Sequence, residues 1–146
     1  MKEIRTEIII TATPRAVWEM LTDFPSYPKW NPFIRSAGGR VQEGERLKVF
    51  LQPPGGRGTN FRPRVLAAEP GRQLRWLGHL GIPGLFDGEH IFEIEQLDPG
   101  RVKFTQRERF SGLLIPLLWR KLDRGTRQGF ENMNRALKER AEGRVR

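Results

Sequence analysis

His90 and Glu108 are the side chains of this 146-residue chain whose types and spacing best suit acid–base chemistry. They flank Asp98-Pro99-Gly100, a turn cluster between two alternating segments that together read as a β-hairpin from Gly88 to Phe110. If the loop is those three residues, Leu97 faces Arg101 and the rest of the register follows. Glu89 then meets Arg109 and Glu95 meets Lys103 on one face, while Ile94 meets Phe104 and Phe92 meets Gln106 on the other. Opposite charges pair outside and apolar groups inside, as cross-strand energetics prefer. The same register sets His90 against Glu108 on the inward face, where an imidazole and a carboxylate need each other, water or a ligand. Two readings stand. One is a satisfied pair near the sheet's end; the other is a dyad with Glu108 or His90 as general acid or base and Gln106 holding a carbonyl oxygen.

The elements that must position this pair are the hairpin and the helical run that follows it, Gly112 to Glu142. Leu114, Leu118, Leu122, Gly125, Gly129, Met133 and Leu137 fall near one face of that helix. Two glycines there cost about 1 kcal/mol each relative to alanine, so they serve close packing, a kink or room for a ligand. Pro116 lies in the first turn or marks a break before the main helix. Upstream, Glu3 to Thr11 alternates as a strand, with Ile4, Thr6, Ile8 and Ile10 on one face. Thr13-Pro14 opens a helix containing Val17, Trp18 and Leu21, and Asp23 to Pro32 is a short helical turn followed by a bend. Leu47, Val49 and Leu51 mark another strand. Phe61 to Ala68 and Gln73 to Gly78 are two more, with Pro63 at a bulge or edge. Gln52 to Gly58 is either a mobile hairpin tip or a flap at a pocket mouth. A sheet closed by a helix over a cavity is the architecture these segments suggest.

Composition narrows the chemistry. The length suits one domain, residues 1–146, with its own core. The absence of cysteine removes thiol catalysis, disulfides and cysteine-ligated zinc, and fits a cytoplasmic protein. No segment approaches the roughly 18 uninterrupted apolar residues of a membrane span, so membrane insertion is not expected. There is no metal-spaced histidine pair, no serine nucleophile constellation and no phosphate-binding glycine pattern, so neither metal nor cofactor is expected. The net charge of +9 invites a polyanion, but the arginines alternate with apolar residues as strand solvent faces do. Specific nucleic-acid binding is therefore not expected. Weak contact with an anionic surface is, and Arg135, Lys138, Arg140, Arg144 and Arg146 also suit the end of a helix dipole.

Ile10-Thr11-Ala12-Thr13-Pro14-Arg15-Ala16-Val17-Trp18, followed by Leu21-Thr22-Asp23-Phe24-Pro25-Ser26-Tyr27-Pro28-Lys29-Trp30-Asn31-Pro32-Phe33, resembles the opening of the polyketide cyclase/dehydrase and lipid-transport family of the START and birch-pollen-allergen superfamily. Gly88-Glu89-His90-Ile91-Phe92 and Glu108-Arg109-Phe110-Ser111-Gly112 resemble its late hairpin. The resemblance implies an α+β helix-grip fold: a curved antiparallel sheet of about seven strands around a long C-terminal helix, with two short helices after the first strand. It also implies a lipid, hormone, polyketide or aromatic ligand between sheet and helix, with cyclisation or dehydration in some members. Trp30, Asn31 and Phe33 match positions at the family's cavity rim, although Trp30 equally suits a core anchor for the short helices.

Two functions from different classes fit these residues. A binding or carrier domain for a small hydrophobic molecule would line its pocket with Trp76, Phe92, Phe104, Phe110, Trp119, Phe130 and Met133, and orient a polar group with His90, Gln106 and Glu108. A cyclase or dehydratase would use Glu108 or His90 in the same cavity. Oligomeric state leaves no mark on these residues.

Overall fold

In a computed structural model describing residues 1–143, the alternating segments pair into two antiparallel sheets. The order is β1 (Lys2–Ile10), α1 (Pro14–Thr22), a 3-10 turn (Phe24–Ser26), α2 (Tyr27–Trp30), β2 (Ile34–Gly38), β3 (Lys48–Leu51), β4 (Thr59–Phe61), β5 (Arg64–Glu69), β6 (Gln73–His79), β7 (Asp87–Asp98), β8 (Arg101–Ser111) and α3 (Ile115–Ala141). Five strands run in the order β1-β8-β7-β6-β5 and three in the order β2-β3-β4. The segment read as one strand from Phe61 to Ala68 is divided at Pro63, which has no N–H to give a ladder. On one side of it β4 pairs with β3, and on the other β5 pairs with β6. Backbone bonds from Leu47 to the Pro63 carbonyl and from Val65 to the Glu45 carbonyl, both 2.8 Å, join the sheets across that bend. With α3 packed across β1 and β8, the fold is an α+β helix grip.

The short helices close one end through local chemistry. The Thr13 hydroxyl accepts the Ala16 N–H at 3.1 Å and caps α1, with Pro14 in its first turn. Buried Tyr27 donates its hydroxyl to the Leu21 carbonyl and so ties α2 to α1. Asn31 ends α2 by accepting the N–H groups of Phe33 and Ile34 at 3.0 and 2.8 Å, which turns the chain into β2 and aims Phe33 inward. Asn31 is thus a fully buried turn residue, away from any rim.

The β7–β8 register has His90 opposite Glu108, Phe92 opposite Gln106 and Ile94 opposite Phe104. Only the tip differs from expectation: Asp98, not Leu97, faces Arg101, and the half-exposed Leu97 is bulged out. Asp98 draws itself into the ladder by accepting from the Gly100 N–H at 3.1 Å and from Arg101 Nε at 2.8 Å.

Helix α3 begins at Ile115, three residues later than periodicity implies, because Gly112 is in a turn with φ 124° against the Leu85 carbonyl. A Cβ at Gly112 would lie 2.3 Å from that oxygen. The apolar face is used unevenly. Phe130, Met133 and Leu137 are fully buried, whereas Leu114 and Leu118 stay partly exposed and Leu117 projects outward. Lys138 at the far end donates to the Ile9 carbonyl at 2.7 Å. Arg144 and Arg146, expected in the basic cluster there, lie outside the described residues. Among the described residues no helix is long and apolar enough to cross a membrane.

Candidate functional site

The helix does not fill the concave sheet. A cavity of about 220 Å³ remains under its first half. Trp76, His90, Glu108 and Phe110 form its floor; Phe33, Leu51 and Phe61 form the facing wall; Leu122 and Thr126 close it from the helix. Arg57, from the segment read as tip or flap, lines it together with Pro53. Leu80 and Phe86 belong to the loop between β6 and β7, which is held by Asp87. That carboxylate lies 2.6 Å from His79 Nδ1 and accepts the Gly84 N–H at 3.1 Å, and these hydrogen bonds, that to His79 first, keep its pKa low.

His90 and Glu108 face each other at the polar end. The Nδ1 to Oε1 distance is 3.7 Å, beyond a hydrogen bond, and the side chains are 1% and 12% exposed. Burial pushes the Glu108 carboxyl up from 4.5 to about 8. Burial pushes the His90 imidazole down from 6.5 to about 4, outweighing its hydrogen bond to Gln106. Near neutral pH the pair is therefore an undissociated acid beside an uncharged imidazole rather than an ion pair. Gly88, the neighbour of Glu108, leaves it space: a Cβ there would sit 2.3 Å from Oε2.

Of the residues expected to touch a ligand, Phe33, Trp76 and Phe110 line the cavity with His90 and Glu108. Gln106, Phe92, Phe104, Phe130, Met133, Trp30 and Trp119 do not. Gln106 lies behind His90, fully buried, with Oε1 2.9 Å from His90 Nε2 and Nε2 2.7 Å from Asn134 Oδ1. Phe92 stacks on the imidazole at 4.4 Å and Phe130 tilts against it at 5.0 Å, so both hold His90 from the core side. Phe104 and Met133 complete that core, where the second half of α3 is pressed onto the sheet. Trp30 packs edge-on against Tyr27 at 5.3 Å. Trp119 packs on Phe110 at 6.0 Å and carries the Lys2 ammonium 5.5 Å above its ring. The two helix glycines differ. Gly129 allows close packing, since its Cβ would meet the Phe33 ring at 2.3 Å, whereas a Cβ at Gly125 would make an ordinary contact with Pro53 at 3.5 Å.

Sequence reasoning missed Leu51, Phe61, Leu122 and Thr126 as lining residues because no pattern within one strand shows which residues face it from the other sheet or from the helix. It also missed Asn134, although a polar residue between Phe130 and Leu137 on an otherwise apolar helix face is a readable signal.

Several solved structures share this architecture. The Zhui aromatase/cyclase from a Streptomyces species superposes with a TM-score of 0.80 at 16% identity, over 99% of this chain and 96% of that one. A START superfamily protein from Mycobacterium smegmatis gives 0.76 at 20% identity, over 97% of both chains. Norcoclaurine synthase of Thalictrum gives 0.73 at 11% identity, over 96% and 93%. At such identities the likeness speaks for the fold alone. No curated protein matches the chain in sequence. The family model described as polyketide cyclase/dehydrase and lipid transport does match, over residues 1–142, and the chain belongs to that family.

Proposed function

We propose that the protein binds a small hydrophobic or aromatic molecule, lipid or polyketide-like, in the cavity between sheet and helix. The observation that carries this reading is the cavity: apolar walls from both sheets and the helix converge on one buried polar pair, the usual composition of a small-molecule site. Its size suits a one- or two-ring aromatic or a short acyl chain. The family description, which names both lipid transport and cyclase/dehydrase chemistry, supports the ligand class without choosing between carrier and enzyme.

One specific observation favours the enzyme as the second reading. Glu108 is held as an undissociated acid, the state a general acid needs in order to protonate a carbonyl or a departing hydroxyl, and His90 Nδ1 lies 3.7 Å from its carboxyl oxygen. Weak contact with an anionic surface is a further part of the proposal. Leu113 and Leu117 are exposed near the start of α3, and so are Arg120, Lys121 and Arg124 on the helix turns around Leu122 at the cavity. The absence of cysteine suits a carrier working in the cytoplasm.

Mass spectrometry of a denaturing extract of the purified protein separates the two main readings. A stoichiometric lipid or aromatic compound supports the carrier. Turnover of a polyketide-like substrate that disappears in Glu108→Gln supports the enzyme, and neither ligand nor turnover overturns both.

A further inference from the structure

A chain of buried side chains runs away from the cavity behind His90. His90 Nε2 lies 2.9 Å from Gln106 Oε1, Gln106 Nε2 lies 2.7 Å from Asn134 Oδ1, and Asn134 Nδ2 lies 2.9 Å from Thr6 Oγ1. Thr6 Oγ1 in turn lies 2.9 Å from the Gln106 backbone carbonyl oxygen. All four residues are buried.

The last contact sets the direction of every other one. A carbonyl oxygen only accepts, so the Thr6 hydroxyl must donate to it. Thr6 Oγ1 then accepts from the Asn134 amide, Asn134 Oδ1 accepts from the Gln106 amide, and Gln106 Oε1 is left as an acceptor facing His90. Reversing the two amides would set two lone-pair-bearing oxygens, Thr6 Oγ1 and the Gln106 carbonyl, 2.9 Å apart with no proton between them. His90 Nε2 must therefore carry a hydrogen. In an uncharged imidazole that leaves Nδ1 bare, on the side where Glu108 and the cavity lie.

We infer that Thr6, Asn134 and Gln106 are positioning residues that lock His90 with its hydrogen on Nε2, so that Nδ1 accepts a hydrogen bond from a hydroxyl of the bound molecule. This rests on the reading of the cavity as a ligand site and specifies what enters it: a molecule bearing a phenol, enol or alcohol O–H at its buried end. The 3.7 Å gap between Nδ1 and Glu108 Oε1 leaves both atoms free to reach one such oxygen, Nδ1 accepting a hydrogen bond from its O–H and the carboxyl group donating one to it. A carboxylate at that end has no proton to give Nδ1. Among the described residues, the only other ionisable group lining the cavity is Arg57.

Two measurements test this, and they fail separately. Long-range ¹H–¹⁵N correlation spectra of the labelled protein near pH 7, with His79→Gln to assign the two histidines, read the tautomer directly. The expected pattern for His90 is Nε2–H with an unprotonated Nδ1; an Nδ1–H or doubly protonated ring overturns the inference. Thr6→Val should give a mixture of tautomers while Thr6→Ser keeps the single one, and a single Nε2–H form in Thr6→Val overturns the role of the chain. If Thr6→Val does not fold, the wild-type spectrum still decides. In calorimetric titrations, 2-naphthol should bind about tenfold more tightly than 2-methoxynaphthalene, which has no proton to donate. Equal binding of both overturns the hydroxyl preference and leaves the cavity reading standing. Binding of neither overturns the cavity reading, and with it the ligand class, while the spectrum still judges the tautomer lock.

Discussion

Replacing Glu108 with glutamine keeps the size of the side chain and removes its ionisation, so it isolates what the buried carboxyl does to folding. Between pH 4.5 and about 8 the unfolded chain has released the Glu108 proton while the folded protein retains it. The folded state then binds more protons, and its stability must fall as pH rises across that window. His90 works in the opposite direction. Between pH 4 and 6.5 the unfolded chain takes up a proton that the folded protein refuses, so this contribution grows as pH rises towards about 6.5. Over pH 4.5 to 6.5 the two nearly cancel in the wild type, and above that the Glu108 loss stands alone, about 2 kcal/mol by pH 8. Glu108→Gln removes the falling part only. Its stability relative to wild type should therefore climb steadily from pH 4.5 to 8. The rise from 4.5 to about 8, at roughly 1.4 kcal/mol per pH unit, caps the difference near 5 kcal/mol, and water reaching a carboxyl that is 12% exposed brings it towards about 3. Urea denaturation of both proteins at half-unit steps from pH 4.5 to 8.5 measures it. A difference that stays within about 1 kcal/mol over the whole range would refute the reasoning, because Glu108 would then ionise in the fold as it does in the unfolded chain.

Three glycine substitutions probe the surroundings of the site. Gly88→Ala should displace the Glu108 carboxyl, whose Oε2 would lie 2.3 Å from the new methyl; about 1–3 kcal/mol of stability is lost, and the pH-dependent difference shrinks in the same titration. Gly129→Ala should cost a similar amount, visible as a drop in Tm, because the methyl drives into the Phe33 ring that packs edge-on to Phe130 at 5.6 Å. Gly78→Leu grows into the cavity from β6, where a Cβ meets Pro63 and Phe61 only at 3.6 and 3.8 Å. It should weaken 2-naphthol binding at least about tenfold in calorimetry while leaving stability within about 1.5 kcal/mol of wild type.

The hairpin was legible because its information is local. A turn cluster between two alternating runs sets the register, and with it the facing of His90 and Glu108, without reference to the rest of the chain. The helix cap at Thr13 was legible for the same reason. The tip was misjudged by one residue because Asp98 has its own hydrogen bonds to Gly100 and Arg101, and these outweigh keeping Leu97 in line. The site was legible only in part. Alternation shows that Phe92, Phe104 and Gln106 point inward, but inward is one side of a long sheet, and a helix lies against only a portion of it.

The sequence by itself determined the β7–β8 hairpin and the faces of its strands, the helix cap at Thr13, the opposition of His90 to Glu108 and the chemistry left open by a cysteine-free chain, because each depends on neighbours along the backbone or across one turn. Only the tertiary structure decided that α3 presses Phe130 and Met133 onto Phe92 and Phe104 yet stands off from Trp76 and Glu108. It also decided that Thr6, from the first strand, and Asn134, from the last helix, meet behind Gln106. The physical reason is that burial, a cavity and a shared hydrogen bond belong to groups remote in sequence, and their energies exist only once the chain has closed on itself.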